Sequence, residues 1–286
     1  MNKIDHEENF GKMCMKFLFL LLSTILLYSA SGTAAEFDHS KFDTLLHKYV
    51  SDGLVNYREI KTNPRLLNEY LAQLENVNPT DFQTWSRNEQ IAFWINAYNA
   101  ITIKGIIRNY PIQWGGLLAR IRFPQSSIRQ ISDFWDTVFI PVMGKDITLN
   151  QIEHDILRKE FGDPRIHFAI VCASLGCAKL ESYVFSGDSL DKQLNRVTRD
   201  FINNSGKVRL DQKDGTLYLS SIFDWYKEDF PATPDAREQL GKYDKDEQGV
   251  IEFVLKYLPE AQQNYILENQ PSIKYLKYDW ALNEQS

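Results

Sequence analysis

Asn88–Tyr110 reads NEQIAFWINAYNAITIKGIIRNY, and this stretch decides the fold. Its apolar residues fall on nearly every side of a helix of 3.6-residue period, the pattern of a helix buried all round rather than one lying on a surface. Ser86 and Glu89 form an S-x-x-E capping box at its start. Pro111 forces an end near Tyr110, because the residue before a proline is pushed out of the helical region. Two polar residues interrupt the apolar surface. Asn96 and Asn99 are three apart and share one face, and a buried amide needs hydrogen-bond partners. They could satisfy the backbone of a loop, orient an imidazole or donate to an oxyanion.

The segments on either side are amphipathic. Phe42, Leu45, Leu46, Tyr49 and Val50 predict a first helix, ended by Asp52-Gly53, with Leu54–Tyr57 extended. Asn63-Pro64 opens a second helix with Leu66, Leu67, Tyr70, Leu71 and Leu74 on one face, and Asn78-Pro79 breaks it. Beyond the central helix, residues 112–136 read as irregular. Val138–Met143 and Ile147–Leu149 flank Gly144-Lys145-Asp146 as a hairpin. Leu190–Ile202 is amphipathic, Val208–Leu210 and Leu217–Leu219 flank the turn signal Asp214-Gly215, a helix covers about Gln248–Leu258, and Ile273–Tyr278 is a final strand. Helices gather early and strands late. The expected fold is α+β, a helical N-terminal part around the central helix packed on a mixed or antiparallel sheet.

Chemistry is suggested where polar residues are out of place. Thr148 and Gln151 form a T-x-x-Q capping box for a helix ending at Gly162. At about 100° per residue, Glu153 projects into the apolar arc made by Leu149, Ile152, Ile156, Leu157 and Phe161, with His154 at its edge. A carboxylate aimed into a core is paired, protonated or functional, and Arg165 or Arg196 would serve as its structural partner. Arg165–Ser174, RIHFAIVCAS, reads as a buried strand with His167 and Cys172 on opposite faces. Cys177 follows in the loop SLGC. Cys172 and Cys177 are either a nucleophile with its neighbour or a disulfide.

The 286 residues are 43% hydrophobic, 13% aromatic and 24% charged, a globular composition. The net charge of −6 is spread without a basic block, so nucleic acid is not an expected partner. Lys16, the apolar run Phe17–Leu27 and the small residues from Ser29 to Ala35 predict a signal peptide over 1–35, starting at Met1 or Met15, with cleavage after Ala35. The rival is an uncleaved anchor. One globular domain over 36–286 is expected, secreted or periplasmic, with no stable membrane span after processing. No cofactor is expected. A metal site using Glu153, His154, His167 and a cysteine lacks CxxC or HExxH spacing.

At NEQIAFWINAYNA, ITLNQIEHDILR, DPRIHFAIVCASLGC and the final KYDWALN, the chain resembles the domain-of-unknown-function family 547, and the likeness runs from Phe42 to Asn283. It implies a bacterial secreted domain with distant plant relatives, and the family motif matches Asn96, Asn99, Glu153, His154, His167, Cys172 and Cys177. Ala178 follows Cys177 where the bacterial pattern usually has proline. The plant relatives often carry serine at the second cysteine, which implies Cys172 as the better thiol. An analogy to papain-like and transglutaminase-like enzymes suggests a thiol hydrolase or acyltransferase acting on an amide or peptide-like bond. Cys172 would be the nucleophile and Cys177 the alternate, with His154 as general base and Glu153 or one of Asn96 and Asn99 orienting it. No histidine follows Cys177, so the order is His before Cys, opposite to papain. The other reading is a non-catalytic envelope-binding domain with a Cys172–Cys177 disulfide.

Overall fold

The central helix forms as the pattern dictates, over Arg87–Asn109, with the Ser86 and Glu89 capping box made in both directions. Such a cap contributes about 1 kcal/mol. From Ile91 to Ile107 nearly every side chain is buried, so no face is left to solvent and other elements must close around it. The computed structural model describes residues 37–137 and 139–285. The expected signal peptide over 1–35, and with it the choice between Met1 and Met15, lies outside the described residues.

In chain order, α1 (Ser40–Tyr49) leads through the short antiparallel pair β1 (Val50–Ser51) and β2 (Leu54–Val55) to α2 (Tyr57–Thr62), α3 (Arg65–Glu75) and α4 (Pro79–Phe82). The central helix, α5, is followed by α6 (Leu117–Arg122) and α7 (Phe134–Thr137), then the antiparallel pair β3 (Ile140–Val142) and β4 (Lys145–Ile147). A π-helix spans Gln151–Phe161 and α8 spans Leu190–Ile202. The C-terminal part comprises β5 (Val208–Asp211), β6 (Thr216–Ser220), α9 (Ser221–Trp225), α10 (Pro234–Gln239), α11 (Lys245–Leu255), α12 (Glu260–Asn269) and β7 (Ser272–Leu276). The fold is α+β, and its largest sheet is mixed. β5 pairs antiparallel with β6, and β7 returns after α9–α12 to run parallel to β6, Leu219 opposite Tyr275. α5 packs chiefly against the 3₁₀ turn Gly187–Ser189, α2, the π-helix, α3 and α8. Glu36–Ser286 forms one compact unit. Among the described residues no helix is long and apolar enough to cross a membrane.

Two expectations are corrected. Arg165–Ser174 is buried but is not a strand. Pro164–Phe168 is a 3₁₀ turn opened by the Asp163 side chain, and the chain then runs on with only an isolated antiparallel bridge from Ser174 to Leu282. Its backbone is satisfied differently. Asn99 donates to Ala169 O at 3.0 Å and accepts from Val171 N–H at 2.9 Å, taking the place of a neighbouring strand. The second correction concerns residues 112–136, which carry α6, a 3₁₀ turn over Ile128–Gln130 and α7. The buried Gln130 side chain organises them. It donates to Ala119 O, Phe123 O and Pro124 O and accepts from Gly115 N–H. Neither arrangement has a periodic signature, because one side chain substitutes for a ladder of backbone bonds.

Candidate active site

Glu153 sits in the first turn of the π-helix and is 5% exposed. The Thr148 and Gln151 box that opens this helix is made in both directions, and the helix ends at Gly162, whose N–H reaches back five residues to Leu157 O. π-helical bonding is rare and is found often at functional sites. Here it holds Glu153, His154 and Arg158 against three other parts of the chain. The Tyr98 hydroxyl of the central helix donates to Glu153 Oε2 at 2.9 Å, and the Tyr226 hydroxyl donates to Oε1 at 2.6 Å. Burial, then Glu153, raises both phenols above their ordinary range, so they remain donors. The expected partners of Glu153, Arg165 and Arg196, lie elsewhere: Arg165 pairs with Asp163 and Asp191, and Arg196 with Glu181. Two hydroxyls can satisfy a carboxylate as a cation can, and no sequence spacing links Glu153 to Tyr226.

Arg158 donates from Nε and Nη2 to the two oxygens of Asp229, at 2.6 and 3.0 Å, and from Nη1 to His154 Nδ1 at 2.8 Å. A guanidinium only donates, so His154 Nδ1 is an acceptor already in use. His167 Nε2 donates to Asp229 Oδ2 at 2.7 Å, and its ring stacks on Tyr226 with centroids 4.1 Å apart. Burial raises the Asp229 carboxyl, but His167 and Arg158 outweigh it and hold it down to about 2. Gly249 of α11 allows this corner to close. A Cβ there would lie 1.7 Å from Phe230 O, the carbonyl next to Asp229, so any side chain would force helix and loop apart.

The cysteines lie on a strained loop. Ala173, directly after Cys172, has φ +58°, a left-handed conformation that costs a non-glycine residue about 1–2 kcal/mol. The C-terminal tail holds it there. Leu175 N–H donates to Ala281 O at 2.8 Å, Gly176 N–H to Asp279 O at 2.7 Å, and Asn283 N–H to Ala173 O at 3.2 Å. Tyr57 in turn donates to the Asn283 side chain at 2.7 Å. Gly176 is required by this contact, since a Cβ would fall 2.7 Å from the Tyr278 ring. The strap brings the Tyr278 hydroxyl to 3.1 Å from Cys172 Sγ, with Ser174 Oγ at 3.4 Å. Cys172 and Cys177 are free thiols, and Cys172 N–H donates to Cys177 Sγ at 3.2 Å. Cys177 is buried and its thiol is pushed well up, first by Cys172 and then by burial. Cys172 moves the other way. Hydrogen bonding from Cys177 outweighs burial, Ser174 and Tyr278 add to it, and the thiol falls from an ordinary value of 9.0 to about 7.

These groups meet in a cavity of about 200 Å³ lined by Tyr98, Glu153, His154, His167, Cys172, Cys177, Tyr226, Tyr278, Trp280 and others. The expectation that His167 and Cys172 face apart is thus corrected. It assumed strand alternation, and the chain between them is not a strand. Of the expected site residues, Cys172, Cys177, Glu153 and His154 line the cavity together. Asn96 and Asn99 do not line it. Asn96 clasps the backbone of Phe185, donating to its O at 2.7 Å and accepting from its N–H at 3.0 Å, as Asn99 does for the chain leading to Cys172. Among the described residues no imidazole hydrogen-bonds a cysteine sulfur, and no three His, Cys, Asp or Glu side chains gather as a metal site. Sequence reasoning missed Asp229, Tyr226 and Tyr278. Only Tyr278 had a signal, its place in the KYDWALN motif.

Residues 82–202 match the family described as Protein of unknown function, DUF547. No curated protein and no solved structure matches the chain. The matched segment carries Tyr98, Glu153, His154, His167, Cys172 and Cys177 and supports the resemblance drawn from three of the four motifs. Tyr226, Asp229, Tyr278 and the fourth motif lie beyond it.

Proposed function

We propose that the cavity belongs to a thiol hydrolase or acyltransferase with Cys172 as nucleophile, acting on an amide or peptide-like bond. The observation that carries this reading is the setting of Cys172 Sγ. It lies in a concave, aromatic-walled cavity, with the hydroxyls of Tyr278 and Ser174 beside it and two imidazoles in the same wall. A thiol lowered to about 7 supplies thiolate at neutral pH without full proton transfer to a base. The thiolate attacks the carbonyl carbon, a C–S bond forms, and collapse of the tetrahedral species breaks the C–N bond. The departing nitrogen takes a proton from water, and water or a second amine then attacks the thioester carbonyl, breaks the C–S bond and gives up a proton, through a base, to restore the thiol. His167 is the better base for the second step. Its Nε2–H is held by Asp229, which leaves Nδ1 as the acceptor in the neutral ring. His154 has its Nδ1 occupied by Arg158, so the remaining Nε2–H suits hydrogen-bond donation to the substrate instead. Glu153 and its two tyrosines hold the wall between them.

The test uses p-nitrophenyl acetate, an activated ester small enough for the cavity. A stoichiometric burst of nitrophenolate, with acetyl found on the Cys172 peptide by mass spectrometry, is the expected result. Absence of both, together with a native thiol count near zero, would instead favour the non-catalytic envelope-binding reading with a Cys172–Cys177 disulfide.

We also propose export to the periplasm or cell exterior, on the strength of the basic flank, apolar run and small-residue exit over 1–35. The secreted protein should begin near Glu36, and N-terminal sequencing that finds Phe17–Leu27 still attached overturns it.

A further inference from the structure

One cation in the cavity wall is left without an ionic partner. Arg129 lines the cavity together with Cys172, yet among the described residues no carboxylate pairs with it. The half-buried guanidinium groups of Arg158 and Arg165 behave differently, each holding two carboxylates. Arg129 is solvent-exposed at the cavity mouth, but its side chain is held in place by rings. Its guanidinium carbon lies 5.0 Å from the Phe123 ring centre, 5.1 Å from that of Trp280 and 5.9 Å from that of Trp135. Its backbone is set between Ile128, fully buried, and Gln130, the residue that organises this segment. Aromatic contacts engage a guanidinium through its flat face and leave the N–H fork in its plane free, and that fork matches a carboxylate.

The same rings connect Arg129 to the thiol. Trp280 lies 4.5 Å from Tyr278, centre to centre, and the Tyr278 hydroxyl is the group beside Cys172 Sγ. The other charge in the wall, Glu153, has both oxygens capped by tyrosine hydroxyls. The cavity therefore presents one unpaired cation to whatever enters. We infer that Arg129 recognises a carboxylate on the acyl part of the substrate, so that the thiol acts on amides or esters of acids bearing a second, anionic group. This rests on the thiol reading above for the reaction, but the recognition can be read separately.

The experiment compares two reagents that differ by one carboxylate. Full-length protein is alkylated with iodoacetate or with iodoacetamide near neutral pH and low salt, and the rate at the Cys172 peptide is followed by mass spectrometry. The ratio of the two rates cancels the thiolate fraction. It should exceed the ratio for N-acetylcysteine amide by about tenfold or more, the size of one charge-assisted hydrogen-bonded contact. In Arg129→Gln the ratio should fall to the free-thiol value. In Arg129→Lys, which keeps the charge and loses the fork, it should fall part of the way. Thermal melting of each variant checks that the fold is retained. An equal ratio in wild type and Arg129→Gln overturns the inference, as does a wild-type ratio no higher than that of the free thiol. Propionate should slow iodoacetamide labelling of the wild type; protection by inorganic phosphate without protection by propionate overturns the carboxylate class. Slow labelling by both reagents at a raised ratio would count against the thiol reading while leaving Arg129 as the anion-recognising group.

Discussion

Cys172→Ala is expected to remove the nitrophenolate burst and to lower turnover by on the order of 10⁴-fold or more, the loss typical of deleting a covalent nucleophile. Cys177→Ala should behave differently. Cys177 is held protonated and is the largest cause of the lowered Cys172 thiol, so its loss should move Cys172 from about 7 back toward its ordinary 9.0. The reactive thiolate is present above the thiol's pKa and is lost as pH falls through it, so wild-type acylation should rise with a midpoint near 7. The Cys177→Ala profile should be displaced upward, with roughly tenfold or greater loss at neutral pH and recovery in alkali. Tyr278→Phe should displace it in the same direction. A burst that survives Cys172→Ala and disappears in Cys177→Ala would exchange the roles of the two cysteines.

Ala97→Asp should leave no soluble folded protein. Ala97 is fully buried in the middle of the central helix. Its polar neighbours Asn96 and Asn99 are each held through both amide heteroatoms by backbone groups of Phe185, Ala169 and Val171. An uncompensated buried charge costs several kcal/mol, comparable with the roughly 5–15 kcal/mol by which a domain is stable. Ala97→Gly, which adds no charge, should cost only about 1 kcal/mol. Soluble yield and thermal melting separate the two. Normal yield and melting for Ala97→Asp would mean that the helix is peripheral.

The parts legible in the sequence are those written in local chemistry. Ser86 and Glu89, Thr148 and Gln151, and the apolar rows of α1, α3 and α8 each mark an element through residues a few positions apart. The α+β class follows from their order, and the burial of Glu153 follows from its place in an apolar arc. RIHFAIVCAS shows where that logic stops. Burial and β-branched residues mark it as interior, but whether an interior segment is a strand depends on who takes its backbone hydrogen bonds. Here Asn99, some seventy residues earlier in the chain, takes them.

The sequence by itself thus determined that Asn88–Tyr110 is the core helix, that Glu153 is buried, and that Cys172 and Cys177 are the thiols around which chemistry would be sought. Only the tertiary structure decided what surrounds them. It set Tyr98 and Tyr226 on Glu153, joined His167 and Arg158 through Asp229, folded the C-terminal strap over the cysteine loop to place Tyr278 on Cys172, and left Arg129 among three rings without a carboxylate. The physical reason is range. Periodicity and capping act within a few residues and are readable in one dimension, whereas a thiol's acidity and a cavity's charge depend on donors and rings from segments as far apart as Tyr98 and Trp280, whose meeting no local spacing records.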